Sequence, residues 1–191
     1  MAKELLSRLR SAYPAARIYV LDTKQAGDFD SLDGYRIDSQ EAPDALRTPG
    51  ALQIWQPPDD DLDEYDRWFK RILYARKPAI VKIDELSSII DKRGEAPEYY
   101  KKLNKLGRAL GILLISLSQE AAYIPRQTLG QVTHVVRFRL LDGYDVRKID
   151  KLVGRAKEDH GLDLPDSYGF IHRRIDRAEP GHYYSDHKEF F

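Results

Sequence analysis

The sequence predicts an α/β fold: a parallel sheet covered by helices on both faces. Two observations carry this. Several unbroken apolar runs rich in Val, Ile and Leu read as strands with no wet face, and amphipathic helices alternate with them. A third observation bounds the size. A chain of 191 residues is enough for one domain with a proper core, so residues 1–191 are read as a single domain, with 165–191 as a terminal β extension.

The elements follow in order. "AKELLSRLRSAY" places Leu5, Leu6 and Leu9 on one helical face with Lys3, Arg8 and Arg10 opposite, and Pro14 stops it. "ARIYVLDTK" (16–24) is a buried strand, and "QAGDFDSLDGY" is turn-rich. "ALQIWQ" (51–56) is a second strand, closed by Pro57 and Pro58. The six acids between Asp59 and Asp66 begin a helix, where negative charge is favoured, and it continues as "EYDRWFKRILYARK". The strand "PAIVKIDEL" follows, then the helix "APEYYKKLNKLGRALG" (96–111) and the apolar strand "ILLISLSQ" (112–119). "THVVRFRL" (133–140) is a strand and "YDVRKIDKLVG" (144–154) a helix ending on Gly154, before a terminal pair of strands, "YGFIHRR" and "GHYYS".

Composition excludes several functions. Lys+Arg and Asp+Glu both number 31, so no whole-molecule field steers a polyanion, although a local basic patch remains open. With no cysteine there is no disulfide framework, thiolate metal site or cysteine nucleophile. No apolar run approaches about 20 residues, so no membrane span is expected, and Met1-Ala2-Lys3 leads into an amphipathic stretch rather than a signal peptide.

The strand at 78–86 ends in two adjacent carboxylates, Asp84 and Glu85. Parallel sheets bind ligands beyond the carboxyl ends of their strands. A carboxylate there can hold Mg²⁺ directly or through water, and its neighbour can polarise an attacking water. The plain structural alternative is that Asp84 caps a helix beginning near Glu85. Ser118 and Gln119 end the following strand in the same way, and a polar amide there can sense a terminal phosphate or remain an ordinary loop group.

The ordered series of acid pair, "LGRALGILLISLSQE" and "IPRQTLGQVTHVVRFRLLDGYDVRKI" resembles the FtsK/HerA class of P-loop motor ATPases. That class includes viral DNA-packaging, filamentous-phage assembly and conjugative coupling ATPases. The resemblance covers about residues 3 to 150. It implies a RecA-like P-loop NTPase fold with Mg-ATP as cofactor. It implies that Asp84 organises Mg²⁺ and lies with Ser118 at the nucleotide, that Glu85 is the general base and that Gln119 is the sensor. Arg108 would be the arginine finger entering a neighbouring subunit's site, with Arg126 its rival. The structural alternative for Arg108 is a cation favoured at a helix C-terminus.

The chain departs from the class at one point. The phosphate-binding G-x-x-x-x-G-K-[ST] is absent, and no Gly-Lys dipeptide occurs anywhere. Residues 1–24 match the helix and strand that follow this loop in the class. The first strand and the loop are therefore expected to be missing from a truncated or degenerate relative, which leaves an open edge or gap in the sheet.

Other constellations carry less. Asp28, Asp30 and Asp33 near Gly34 lack calcium-loop spacing and read as a polar turn. The histidines at 134, 160, 172, 182 and 187 show no paired-ligand spacing, and His182 and His187 beside Asp186 read as a solvated tail. Lys92, Arg93, Lys101, Lys102 and Lys105, with Tyr99 and Tyr100, are the candidate contacts to a DNA backbone, which needs cations and no base reading. The plain alternative is a solvated helix face, and Glu95 and Glu98 dilute the patch.

The reading that results is an ATP-driven translocase of double-stranded DNA in a homo-oligomeric ring, a hexamer or pentamer. Genome packaging at a viral capsid vertex fits the short chain best, in host cytoplasm or virion. The alternatives are a non-catalytic α/β binding or scaffold module and a filamentous-phage assembly ATPase.

Overall fold

A computed structural model describes residues 2–24, 29, 32–37, 51–57, 61–138, 143–153, 170–174 and 182–184. Asp28, Asp30, Asp59, Asp60, His160, Asp186 and His187, singled out above, lie outside these. The chain groups into two compact units, Met1–Gln119 and Glu120–Phe191.

The first unit contains α1 (Ala2–Ala12), β1 (Arg17–Leu21), β2 (Tyr35–Ile37), β3 (Leu52–Trp55), α2 (Leu62–Ala75), β4 (Ala79–Ile83), α3 (Glu98–Leu106) and β5 (Ile112–Ser116). The strands form one sheet in the order β2-β3-β1-β4-β5, and every neighbouring pair is parallel. Strand β2 falls at the end of the stretch read as turn-rich. Three residues carry too little pattern to separate an edge strand from a loop.

Alternation of side chains sends each strand's residues to two faces. Ile18, Val20, Leu52, Ile54 and Ile80 form one core, covered by Leu6 and Leu9 of α1 with Phe29 and Leu32. The opposite face carries an aromatic cluster. Helix α2 buries Tyr65, Trp68, Phe69, Ile72 and Leu73, the i, i+3, i+4, i+7, i+8 stripe of an amphipathic helix. Trp68 lies 5.6 Å from Trp55 and 5.1 Å from Phe69 between ring centroids, and Phe69 lies 5.4 Å from Tyr100 of α3.

Local signals set the helix ends. Asp61 N-caps α2 by accepting from the Asp63 N–H at 2.8 Å, with Asp63 and Glu64 in the first turn. Pro97 gives α3 no side-chain cap, but Asp66 of α2 reaches across and accepts from the Tyr99 N–H at 2.6 Å. A short 3-10 helix, Gly107–Leu110, continues α3, and Gly111 turns the chain into β5 at φ 69°, where a side chain would be strained.

Every residue of β4 is buried. Strand β5 differs: it is the sheet's edge, its residues beyond Ile112 are half-buried or exposed, and Leu113 is 45 % exposed. Strand β2 is the other edge of this sheet among the described residues.

The second unit contains α4 (Arg126–Leu129), β6 (His134–Phe138), α5 (Gly143–Val153), β7 (Phe170–Arg174) and β8 (His182–Tyr184). Strand β6 does not extend the parallel sheet. It pairs antiparallel with β7, which pairs antiparallel with β8, and the terminal pair of strands expected from the sequence is the β7–β8 ladder. Asp145 and Lys148 of α5 hold the Ala121–Tyr123 turn: Asp145 accepts from the Ala122 N–H at 2.5 Å, and Lys148 donates to the carbonyls of Ala122 and Ile124 at 2.7 and 2.8 Å. Burial pushes the Lys148 ammonium below its ordinary value, against the opposing pull of Asp145.

Candidate functional site

Strand order determines where the site lies. After β1 the chain moves to β2 and β3 on one side; after β4 it moves to β5 on the other. The carboxyl ends of β1 and β4 therefore flank a topological switch point, where open parallel sheets bind ligands. The two strands are direct neighbours with Leu21 opposite Ile83. The next residues are Asp22, Thr23 and Lys24 on one strand and Asp84 and Glu85 on the other.

Asp84 shares a face of β4 with Lys82, two residues earlier. Lys82 is 1 % exposed and Asp84 8 %. The Lys82 Nζ sits 2.5 Å from Asp84 Oδ1 and 4.1 Å from the centre of the Phe29 ring. A lysine inside a parallel sheet needs a partner, because an unpaired buried charge is costly. Asp84 and the Phe29 ring supply it. Asp22, fully buried, accepts from Gln56 Nε2 at 2.8 Å at the end of β3.

Glu85 points elsewhere. It N-caps the 3-10 helix Leu86–Ile89, so the capping role considered for Asp84 falls to its neighbour. Glu85 Oε1 accepts from the Ser87 hydroxyl at 2.8 Å and the Ser87 N–H at 3.3 Å. Oε2 pairs with Lys24 Nζ at 3.1 Å, and the Gln119 backbone N–H lies 3.4 Å from both oxygens. Burial by itself raises this carboxyl, but the Ser87 hydroxyl, Lys24 and the Ser87 N–H outweigh it and hold Glu85 below its ordinary 4.5.

The structure thus brings together Asp84, Glu85, Ser118 and Gln119 around the ends of β4 and β5, as the sequence led one to expect. Gln119 reaches Glu85 through its backbone, while its side chain is exposed; Ser118 is half-buried. Arg108 is exposed in the turn before β5. It stands at the amino end of that strand, about 20 Å of strand away from the site. Arg126 opens α4 in the second unit and is also exposed.

Three residues of the site escaped the sequence reading: Asp22, Lys24 and Lys82. A signal was present for Lys82, since a lysine within a strand otherwise entirely apolar demands a buried partner. None was present for Lys24, whose partner lies on another strand.

Elsewhere, Lys101 pairs with Glu95 at 2.8 Å, and Lys102 pairs with Glu98 while lying 4.4 Å over the Tyr99 ring. Two of the five candidate DNA-contacting cations are therefore already engaged within the chain. Lys92 and Arg93 stand exposed on a turn that Asp91 holds by accepting from the Arg93 and Glu95 N–H groups, and Lys105 is exposed on α3. Cross-strand pairing also brings together two histidines that sequence spacing kept apart: His134 Nδ1 lies 2.9 Å from His172 Nε2. Among the described residues no group of three or more His, Asp or Glu is placed to hold a metal, and no helix is long and apolar enough to cross a membrane.

No protein-family model and no curated protein sequence matches the chain. Solved structures do. The genome packaging NTPase B204 from Sulfolobus turreted icosahedral virus 2, in complex with ATP-gammaS, matches with a TM-score of 0.74 at 12 % identity, over 95 % of this chain and 87 % of that one. The same protein with AMPPCP gives 0.71 at 13 % identity, with the same coverage. EssC (ATPases 2 and 3) from Geobacillus thermodenitrificans gives 0.59 at 16 % identity, over 95 % of this chain and 36 % of that one. At these identities the likeness shows the fold: the chain has the α/β fold of these NTPases, in keeping with the RecA-like P-loop architecture and the FtsK/HerA resemblance read from the sequence.

Two outcomes test the site's electrostatics. Lys82→Met strands Asp84 in a buried position and should lower unfolding stability by about 3–5 kcal/mol. Lys82→Met combined with Asp84→Asn should recover most of that loss in urea titrations; a double variant no more stable than Lys82→Met would show that the two residues are not coupled. The second concerns acid. Glu85 is depressed in the folded state, so it contributes stability above pH 4.5 that is lost as pH falls through its lower folded value. Ser87→Ala should raise the Glu85 midpoint in a carboxyl-carbon NMR titration and shift acid unfolding to higher pH; an unchanged midpoint would remove Ser87 from the account.

Proposed function

We infer that the chain is the core of a nucleotide-driven motor subunit acting on double-stranded DNA, of the genome-packaging kind. The observation that carries this reading is the placing of Asp84 and Glu85, with Gln119 beside them, at the switch point of a sheet whose fold matches a packaging NTPase. The likeness to structures of B204 with ATP-gammaS and AMPPCP favours a nucleoside triphosphate as the ligand.

The fit to Mg-ATP is partial. Mg²⁺ is usually held by one or two carboxylates together with substrate phosphates. Asp84 offers one such carboxylate, and a cation there has to share it with Lys82. Bound Mg²⁺ would neutralise charge on the phosphate oxygens. Glu85 would accept a proton from the attacking water, once one of its oxygens is free. The phosphate cradle is not in this sequence. We place its source in a segment outside this chain, whose strand would add to the half-exposed edge of β5.

Arg108 is too far along β5 to serve its own site, so the finger role assigned to it operates only across a subunit interface, in a ring. Arg126 is the alternative. Lys92, Arg93 and Lys105 are the first residues to consider for contact with the DNA backbone, ahead of the internally paired Lys101 and Lys102. The non-catalytic reading has one observation in its favour: both carboxylates are already paired with lysines.

The reading is tested by extending the coding frame upstream of Met1. A strand followed by G-x-x-x-x-G-K-[ST] is expected there, and the extended protein should hydrolyse ATP. Glu85→Gln in that protein should bind nucleotide at least as tightly as the unaltered protein and lose about 10²–10⁴-fold in rate. A stop codon with no such motif, or near-normal turnover by Glu85→Gln, would leave the non-catalytic module.

Mixing tests the finger. Arg108→Ala should lose roughly 10³–10⁵-fold in hydrolysis, as fingers supplied in trans do elsewhere. Combined with Glu85→Gln subunits, it should regain part of the rate, because some interfaces then join an intact base to an intact finger. Co-assembled rings that stay inactive would exclude Arg108 and make Arg126 the residue to test.

A further inference from the structure

We propose that Lys24 is the site's phosphate-binding cation, and that its pairing with Glu85 is a latch which a polyphosphate chain releases. The proposal rests on the motor reading for its physiological ligand, but its geometry stands alone. Lys24 leaves the carboxyl end of β1 and Glu85 that of β4, so their contact spans the switch-point crevice, Nζ to Oε2 at 3.1 Å. Of the two lysines paired with the site's carboxylates, Lys82 is sealed in, with its side chain 2 % exposed, whereas the Lys24 side chain is 31 % exposed. Lys24 is the one of these two that an incoming anion can meet.

Each oxygen of Glu85 is occupied in the state described here. Oε1 is taken by Ser87 and Oε2 by Lys24, with the Gln119 N–H against both. A carboxylate bound in this way has less of its acceptor capacity left for an attacking water. A polyphosphate carries several negative charges, and an ammonium exchanges one carboxylate for such a ligand readily, because its charge is compact and its stem flexible. When Lys24 swings to the phosphate, Oε2 is released. Anion binding and exposure of the base are then a single event. By reciprocity, whatever holds Lys24 on Glu85 weakens the anion by the same factor.

The test uses inorganic triphosphate without metal, titrated into the full chain and followed by calorimetry and by NMR of the Lys24 side chain. Glu85→Gln frees Lys24 and should tighten triphosphate by about two- to fivefold, the change a partly exposed ion pair is worth. Lys24→Gln should weaken it, Lys24→Arg should retain it, and Glu85→Gln should give no gain in a Lys24→Gln background. Equal affinity in wild type and Glu85→Gln, a gain that persists without Lys24, or no binding by Glu85→Gln would each overturn the proposal. Failure of the motor reading is separable. If triphosphate follows the expected pattern but the upstream-extended protein does not hydrolyse ATP, the latch stands and the motor falls.

Discussion

The pairing of β1 with β4 is the contact on which the rest of this site depends. Its parallel register, Leu21 opposite Ile83, fixes which residues leave the two strands side by side. The Asp84 N–H donates to the Leu21 carbonyl at 3.0 Å, so the ladder runs one bond past the strand and holds the acid pair in place. On the other flank the Asp22 N–H donates to the Trp55 carbonyl at 2.9 Å and does the same for β1. Slipping this register by one residue would exchange every face and bury the wrong set of side chains. The core under α1 and the aromatic cluster under α2 and α3 both resist that slip.

Two ion pairs grow from this pairing, and they differ in kind. Lys82–Asp84 is buried within one strand, so the lysine's charge is met inside the sheet. It holds Asp84 in place. Lys24–Glu85 joins two strands and is open to solvent on its lysine side only, with the Lys24 side chain 31 % and the Glu85 side chain 7 % exposed. A fully buried pair suits holding a shape, and one whose lysine meets solvent can respond to an anion. The site places one of each on adjacent carboxylates.

The edge strand explains the division of the chain. Among the described residues strand β5 pairs with β4 alone, and its residues beyond Ile112 are half-buried or exposed. Strand β6, read from sequence as one more apolar strand among the others, pairs instead with β7 and β8 as an antiparallel sheet.

Much was legible in the sequence. The strands at β1, β3 and β4 were readable because each is a short, largely apolar run buried on both faces, and β5 because it has the same composition although it is half-exposed. The helices were readable from their stripes, and the acid pair from its position where an apolar run stops. Asp61 and the acids after it announced the start of α2 by their preference for a helix N-terminus. What no local pattern could convey was which strand lies beside which. Periodicity reports how a strand is buried and is silent on its neighbour, since order in a sheet is decided by crossovers and packing between distant segments. Hence Lys24 was invisible as the partner of Glu85, the His134–His172 contact was missed, and the antiparallel pairing of β6 with β7 was not foreseen. The sequence by itself determined where charge would gather at the strand ends. Only the tertiary structure decided what that charge would face, because β1 and β4 meet across some sixty residues of intervening chain.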